Sequence, residues 1–483
     1  MWPFPKQEIK INRTPRTPLE DRKPNRTITA KYDAAETTHQ NGRHWAMSTS
    51  ESPNTENSLA VRKELRNRSR YEASNNTYCS GMIETYSEWM IGTGPSLQIK
   101  SDSIDANQTI EALWLEWSKY INLPFKLRLM QQCKTKDGEG LGILINNSKS
   151  ELEIQLDLHL IECDRITSQY SSDINNPLNI DGVIINNQGY ITHYEILEQH
   201  PGENIYFNLG MFKTRRIPAE FVIALNNQKR PEQHRFAPQT ASSLELFGIS
   251  RDFTLATLRA AQLVAENPSV IQTKDLPYNE EEPGERPVVM DEFYLAKSMT
   301  TVMPDGYEFK QQKPEQPTST FAEFDKRIIN AEARGLKMPM NIASGNSEGF
   351  NYAAGRLDHQ SFTGTIRTEQ GDLGNNQLDK IFGAFWEELI SIPKYRPLKK
   401  VLPSITLRKI PFPNHTWMFP GRPHVDPAKE ANAFTTLYDK NAITLEQWYA
   451  EKGLDWRTAI QQLKVEKEFL KSNNIIVKEM VNE

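Results

Sequence analysis

Apolar residues recur at helical spacing in several stretches of the chain. Phe321, Phe324 and Ile328 share one face, with Asp325, Lys326 and Arg327 between them. This predicts a short amphipathic helix over Phe321–Arg334, stopped by Gly335. A longer helix is predicted over 241–266, where Leu244, Phe247, Phe253, Leu258, Ala261 and Val264 form a broad apolar face. Residues 58–91 and 109–133 read as helices too. In the second, Trp114, Trp117 and Tyr120 fall at i, i+3 and i+6, a pattern of core packing rather than of base stacking. A further long segment runs from Asn351 to Ile390.

Elsewhere the period shortens to two. Leu152–Leu158, Gly182–Ile185, Tyr190–Ile196 and Phe221–Leu225 alternate as strands do, and Ser96–Lys100 and Ile143–Ile145 are further strands. The glycine-rich run Asp137–Gly142 is read as a turn from helix to strand. Prolines concentrate in 268–318, with strand-like pieces at Pro287–Val289 and Tyr307–Lys310, and again in 393–425, an irregular, surface-wrapping stretch. Asp426 and Pro427 then predict a capped helix start, and Thr444 caps the helix containing Trp448. Residues 456–483 read as a charged helix and tail, and residues 1–57 as a poorly ordered arm, interrupted by Trp45 as a packing anchor.

Length and composition narrow the class. The 483 residues suffice for two or three structural units. Hydrophobic content is 37% and mean hydropathy −0.63, polar enough for an extended or ring-forming subunit. No apolar run approaches the ~20 residues of a membrane span, and Met1–Lys6 lacks the apolar core of a secretory signal. Cys79, Cys133 and Cys163 are widely spaced, offering no disulfide framework and no metal pair, so synthesis in a reducing cytoplasm is expected. The net charge of −5 excludes a generally basic DNA-coating protein. Residues 1–70 lean basic, whereas Glu280, Glu281, Glu282 and Glu285 form an acidic run.

Candidate chemistry is sparse. Gly92-Thr93-Gly94 and the 137–142 run lack a phosphate-loop lysine, and neither a metal-ligand cluster nor a nucleophile with its base is recognisable. Asp164 and Asp181 form an acidic pair on separate strand ends, without a third ligand nearby. No catalytic residue, no cofactor and no metal is therefore expected, and no enzyme activity. Arg230 and Arg235 are read as meeting DNA phosphates or as bridging subunits through carboxylates, the second preferred.

Several motifs occur together in order. They are Gly335-Leu336-Lys337-Met338-Pro339, then Gly345-Asn346-Ser347, then Asn351-Tyr352-Ala353-Ala354-Gly355-Arg356. Upstream stand Tyr32–Ala35, Arg43–Trp45, Asn75–Gly81, Leu160–Arg165 and Arg230–Pro238; downstream stands Trp417–Ala431. The set resembles the lambda family of bacteriophage portal proteins over roughly residues 30–460. Two family glycines of the Arg230–Pro238 motif are replaced by Glu232 and Phe236.

The resemblance implies an α+β portal-type subunit. Its parts would be a flexible arm (1–57), a mixed α/β wing (58–240), stem helices (241–267 and 319–335), an inserted clip (268–318), a tunnel loop (336–350), a spine helix (351–392) and a helical crown (393–483). It implies a ring of about twelve copies at a capsid vertex of the virion, made in the bacterial cytoplasm. Double-stranded DNA would pass through it. The terminase large subunit, capsid and scaffold proteins and head-tail adaptors would be its partners, with no membrane involved. Lys337, Asn341, Ser344, Asn346 and Ser347 would line the channel loop; Arg230, Arg235 and Arg356 would serve interfaces or phosphates; Glu280, Glu281, Glu282 and Glu285 would dock the motor. The rival classes are another head-tail adaptor or capsid component, and a packaging-associated nuclease or protease.

Overall fold

A computed structural model describes residues 42–45, 48–203, 213–265, 269–273, 307–311, 321–404, 406–407, 411–421 and 426–473. The chain divides into two units, Met1–Ser52 and Pro53–Glu483. The described part of the first contains a 3-10 turn, Gly42–Trp45, with the Ser48 N–H donating to the Trp45 carbonyl at 3.0 Å. The large unit opens with one turn, α1 (Pro53–Glu56), so its ordered body begins before residue 58.

The predicted helix over 58–91 is two helices, α2 (Leu59–Asn75) and α3 (Thr77–Ile91). Asn76 breaks them: its backbone is extended and its side chain accepts the N–H groups of Tyr78 and Cys79, capping α3. The next predicted helix also divides, into α4 (Ile104–Tyr120) and α5 (Leu123–Asp137). Asn122 at φ 55° makes the bend, and Pro124 fits the first turn of α5, where no N–H is needed. Trp114 and Trp117 are core residues at 2% and 1% exposure, whereas Tyr120 is 43% exposed and receives the Glu151 N–H on its hydroxyl.

The sheet at the centre has the order β3-β2-β8, all antiparallel: β2 (Glu139–Asn146), β3 (Leu156–Ile161) and β8 (Val222–Asn226). Its two faces enter different cores. Leu144, Leu158 and Ile223 join the main core with α3, α4 and α5. Leu141, Ile143 and Val222 join a second core with the four-stranded sheet β4-β5-β6-β7. That sheet comprises Asn179–Ile180, Val183–Ile185, Ile191–Leu197 and Thr214–Pro218. Strand β7 carries Arg215 and Arg216, charge on an edge strand that hides it from an alternation search. Of the 137–142 run only Gly138 lies at a turn; Gly140 and Gly142 lie inside β2, and a Cβ on Gly140 would stand 1.9 Å from the Met130 carbonyl oxygen of α5.

From the central body α6 (Leu244–Ala265) departs. Leu244 and Phe247 in its first turn are buried, but Ile249, Leu255 and Leu258 are 56%, 45% and 57% exposed. Strands β9 (Ser269–Thr273) and β10 (Tyr307–Gln311) pair antiparallel, with Tyr307 opposite Thr273. The acidic run Glu280–Glu285 and Pro287–Val289 lie outside the described residues. The chain returns in α7 (Phe321–Arg334), as predicted, where Phe321 stacks on Phe253 of α6 at 5.7 Å and Phe324 meets it edge-on at 5.3 Å.

After α8 (Met340–Ser344) comes the longest helical segment: α9 (Tyr352–Asp372), a π-helical turn (Leu373–Leu378) and α10 (Asp379–Ser391), without interruption. Phe382, Phe385 and Trp386 of α10 are fully buried, and Trp114 meets Phe382 and Phe385 edge-on at 5.7 and 5.2 Å. The stretch expected to be irregular contributes β11 (His415–Met418), antiparallel to β1 (Ser96–Ile99). Asp379 Oδ1 accepts from both His415 Nε2 and Trp417 Nε1, tying this ribbon to the start of α10. Three helices follow: α11 (Pro427–Asp439), α12 (Leu445–Glu451) and α13 (Trp456–Ser472). The first two have the predicted caps, Asp426 and Thr444, the latter in a capping box with Gln447. Among the described residues no helix is long and apolar enough to cross a membrane.

Candidate functional site

Arg62, Arg66 and Arg70 stand one turn apart on α2 and therefore share a face. Asp137, Glu139, Asp164 and Asp181 converge on that face from the ends of α5 and β2 and from the loops around the second sheet. Arg70 Nε lies 2.6 Å from Asp137 and its Nη2 2.5 Å from Asp164; Arg66 lies 3.1 Å from Glu139; Arg62 pairs with Asp181. Arg235 completes the lattice, gripping Glu139 with two parallel bonds of 2.9 and 3.0 Å and reaching Asp181 at 3.1 Å. Its guanidinium also donates to the carbonyls of Cys163 and Ile166. Burial alone would raise the Glu139 carboxyl, but Arg235 and Arg66 outweigh it and hold it down to about 2.

This corrects one expectation. Arg235 is 1% exposed, and its carboxylate partners belong to its own chain, so it reaches neither DNA nor a neighbour from this position. Asp164 and Asp181 do form an acidic group, but guanidinium groups occupy both, which leaves no free acid or base there. Glu162 and His200 approach Asp164 so that their ligand atoms lie within 4.8 Å of one another. Arg66 and Arg70 already neutralise Asp164, and His200 Nε2 lies 2.8 Å from Glu162, so the group is the fringe of the arginine–carboxylate lattice.

The other candidates scatter. Arg230 is half-exposed and pairs with Glu56 of α1, and Arg356 is exposed on the first turn of α9. The helix stops before Gly335 as predicted, and the left-handed turn follows in the loop, at Lys337 (φ 57°). The small size of Gly335 serves packing instead: a Cβ there would stand 2.3 Å from Ser243 Oγ. The loop is not wholly irregular, since α8 occupies Met340–Ser344. Asn341 is 4% exposed, buried in α8 rather than offered to a channel. Ser344 is half-buried, Asn346 and Ser347 are exposed, and Asn346 Oδ1 accepts the Glu348 N–H at 2.8 Å. Among the described residues Lys337 makes no ion pair with Glu348; with Lys134, Lys229 and Glu369 it lines a cleft between α5, the end of β8 and α9. The sequence reading missed Lys134, Lys229 and Glu369, because they come together only through the fold.

Glu332 of α7 is 1% exposed beside Ser250 of α6, which donates to its carboxylate at 2.6 Å. Burial, helped by Asp325 and Glu72, raises this carboxyl to about 7. The folded chain thus holds a proton that the unfolded chain releases near ~4.3. Stability from this group is complete below that value and is lost as pH rises through about 7. Glu332→Gln is therefore expected to be neutral at pH 4 and to stabilise the chain by roughly 1–3 kcal/mol at pH 8, read by urea unfolding at both pH values. A gain equal at both would contradict this origin.

Comparison with known proteins adds the following. Two solved structures are similar in outline. One is titled as the neck of an empty GTA particle computed with C6 symmetry (TM-score 0.43, 11% identity, 80% of this chain and 92% of that chain). The other is the virion of a native gene transfer agent (GTA) particle (0.42, 10%, 81% and 93%). A curated UPF0301 protein of Buchnera aphidicola subsp. Baizongia pistaciae (strain Bp) is 31% identical over 105 residues, 22% of this chain; the chain spans about half the length of that relative, 54%. A sequence model described as phage portal protein, lambda family, matches residues 39–370, so that the chain belongs to the lambda family of phage portal proteins.

Proposed function

We propose that identical copies of this chain close into a ring at one vertex of a phage-type capsid, a structural conduit for double-stranded DNA rather than an enzyme. The family match over residues 39–370 carries this reading. The geometry supports it. Helices α6 and α7 leave the body as a stacked pair with the β9–β10 ribbon between them in sequence, which suits a stem bearing a clip. Ile249, Leu255 and Leu258 stand exposed along α6 of the single chain, apolar surface of the kind that neighbouring subunits cover. About twelve copies at −5 each would carry roughly −60, so the ring does not grip DNA generally. Translocation needs weak, repeated contacts, which the exposed polar loop residues Asn346 and Ser347 supply. The clip, with Glu280, Glu281, Glu282 and Glu285, docks the terminase large subunit and later the head-tail adaptors, and Arg230 and Arg356 serve subunit contacts.

The test is native mass spectrometry of the full-length chain, with electron-microscope images of the same sample. A closed ring of about twelve subunits with a central hole is expected. A chain that stays monomeric or dimeric even with scaffold and shell protein present overturns the conduit reading. Ile249→Asp with Leu258→Asp is expected to abolish the ring while leaving the monomer folded.

A further inference from the structure

The cleft at the base of the loop, about 550 Å³, is polar in an unusual way. Gln131 of α5 lines it, is completely buried, and has no hydrogen-bond partner for either side-chain amide atom. Asn226 Oδ1, at the end of β8, lines it too and is likewise buried and unpartnered. Buried polar atoms are nearly always hydrogen-bonded, so two such side chains facing one cavity point to something polar that it takes up.

The charges in the cleft are also unbalanced. Lys134 is satisfied: its Nζ lies 2.9 Å from Glu369 Oε2, while the Tyr86 hydroxyl donates to Oε1 at 2.7 Å. Lys229 and Lys337 line the same cleft and have no carboxylate partner among the described residues. Asp372 lines it as well, exposed and paired with neither lysine. Partial desolvation, reinforced by Lys337 and Lys134 and only in part opposed by Glu369, depresses the Lys229 ammonium.

We infer that this cleft is an oxyanion site of the phosphate class, with Lys229, Lys337 and the Gln131 amide as its donors. The lysines supply charge on flexible stems and the Gln131 NH2 a fixed donor at depth. The remaining acceptors, Gln131 Oε1 and Asn226 Oδ1, need a donor from the ligand. Inorganic phosphate carries a P–OH near neutral pH, whereas a phosphate monoester is mostly the dianion there and a phosphodiester of DNA carries none. The acceptors thus favour free inorganic phosphate over the DNA backbone. Bound there, the anion links the first residues of the loop to the sheet end and to α5. The site does not depend on the ring reading, whose failure would show in mass spectrometry and not in this titration.

Inorganic phosphate is titrated into the full-length protein at constant ionic strength in chloride buffer, followed by calorimetry and by phosphorus NMR line width. One saturable site per chain is expected, weakened at least about tenfold by Lys229→Gln and by Lys337→Gln. Both positions are exposed, so neither variant is expected to disturb folding. Gln131→Leu, similar in volume, is expected to lose phosphate binding while raising the stability of the phosphate-free chain. A short DNA duplex is then added to the phosphate-bound protein. Phosphate retained assigns the site to free phosphate, and phosphate displaced overturns that assignment in favour of the phosphodiester. No saturation below about 10 mM, equal competition by chloride, or unchanged affinity in both lysine variants overturns the proposal.

Discussion

Glu139→Leu is expected to cost about 3–5 kcal/mol and to leave little soluble protein. The carboxylate is 3% exposed and stands between Arg235, which grips it at 2.9 and 3.0 Å, and Arg66 at 3.1 Å. Four arginines and four carboxylates balance within this lattice, so removing one carboxylate strands guanidinium charge where water does not reach. The backbone loses its anchor as well, because the Phe236 N–H donates to the same carboxylate. Urea unfolding of the soluble fraction measures the loss. Conversely, a double change of Glu139 and Arg235 to apolar residues of similar size is expected to recover much of it, since desolvation then falls with the charge. A Glu139→Leu variant within about 1 kcal/mol of the parent would mean that the lattice contributes nothing net. Through the same carboxylate the native chain is expected to lose stability as pH falls from ~4.3 toward about 2, the opposite sign to Glu332.

Gly140→Val has the second large expected effect, about 3 kcal/mol or more. The obstacle is backbone: a Cβ at residue 140 would lie 1.9 Å from the Met130 carbonyl oxygen and 2.7 Å from its carbon. No rotamer relieves that, so α5 has to lift off β2. Met130 and Leu127 on α5 belong to the main core, and lifting the helix exposes them. Thermal unfolding of Gly140→Val beside Gly81→Ala, at a helix position with open space around it, separates the clash from a general glycine effect. Equal, small losses at the two positions would refute close approach as the reason for Gly140.

Local signals in the sequence carried far, and they failed where partners come from afar. The bounds of α7 are legible because its charges sit between its apolar positions within fourteen residues. Asp426 and Thr444 are legible because a cap acts within three residues. Asn122 interrupts an apolar period by one polar residue, too little to mark a break without the turn geometry, and Asn76 lies in a polar run that a helix surface also tolerates. The arginine motif at 230–235 was recognisable as a motif, but not its meaning, since Glu139 lies ninety-six residues from Arg235. The cleft has no local signature at all. Gln131, Asn226, Lys229 and Lys337 are ordinary residues of three separate segments until the sheet and the long helix assemble around them.

The π-helical turn at Leu373–Leu378 has a consequence for how this chain tolerates change in length. The buried apolar side chains step from Phe362 to Ile366 and Leu373 by ordinary helical intervals, then by five to Leu378, and then by four to Phe382. A wider turn absorbs the extra residue locally, so the halves on either side keep their angular phase. Loss of one residue from 374–377 would return the segment to a plain α-helix with both apolar stripes still aligned to within about 10°. The same loss elsewhere in the segment would rotate one half by about 100° and turn Phe382 and Phe385 away from Trp114 and Trp117. The longest helical segment among the described residues thus contains one point of slack, placed where the loss of a single residue leaves the rest of the structure in register.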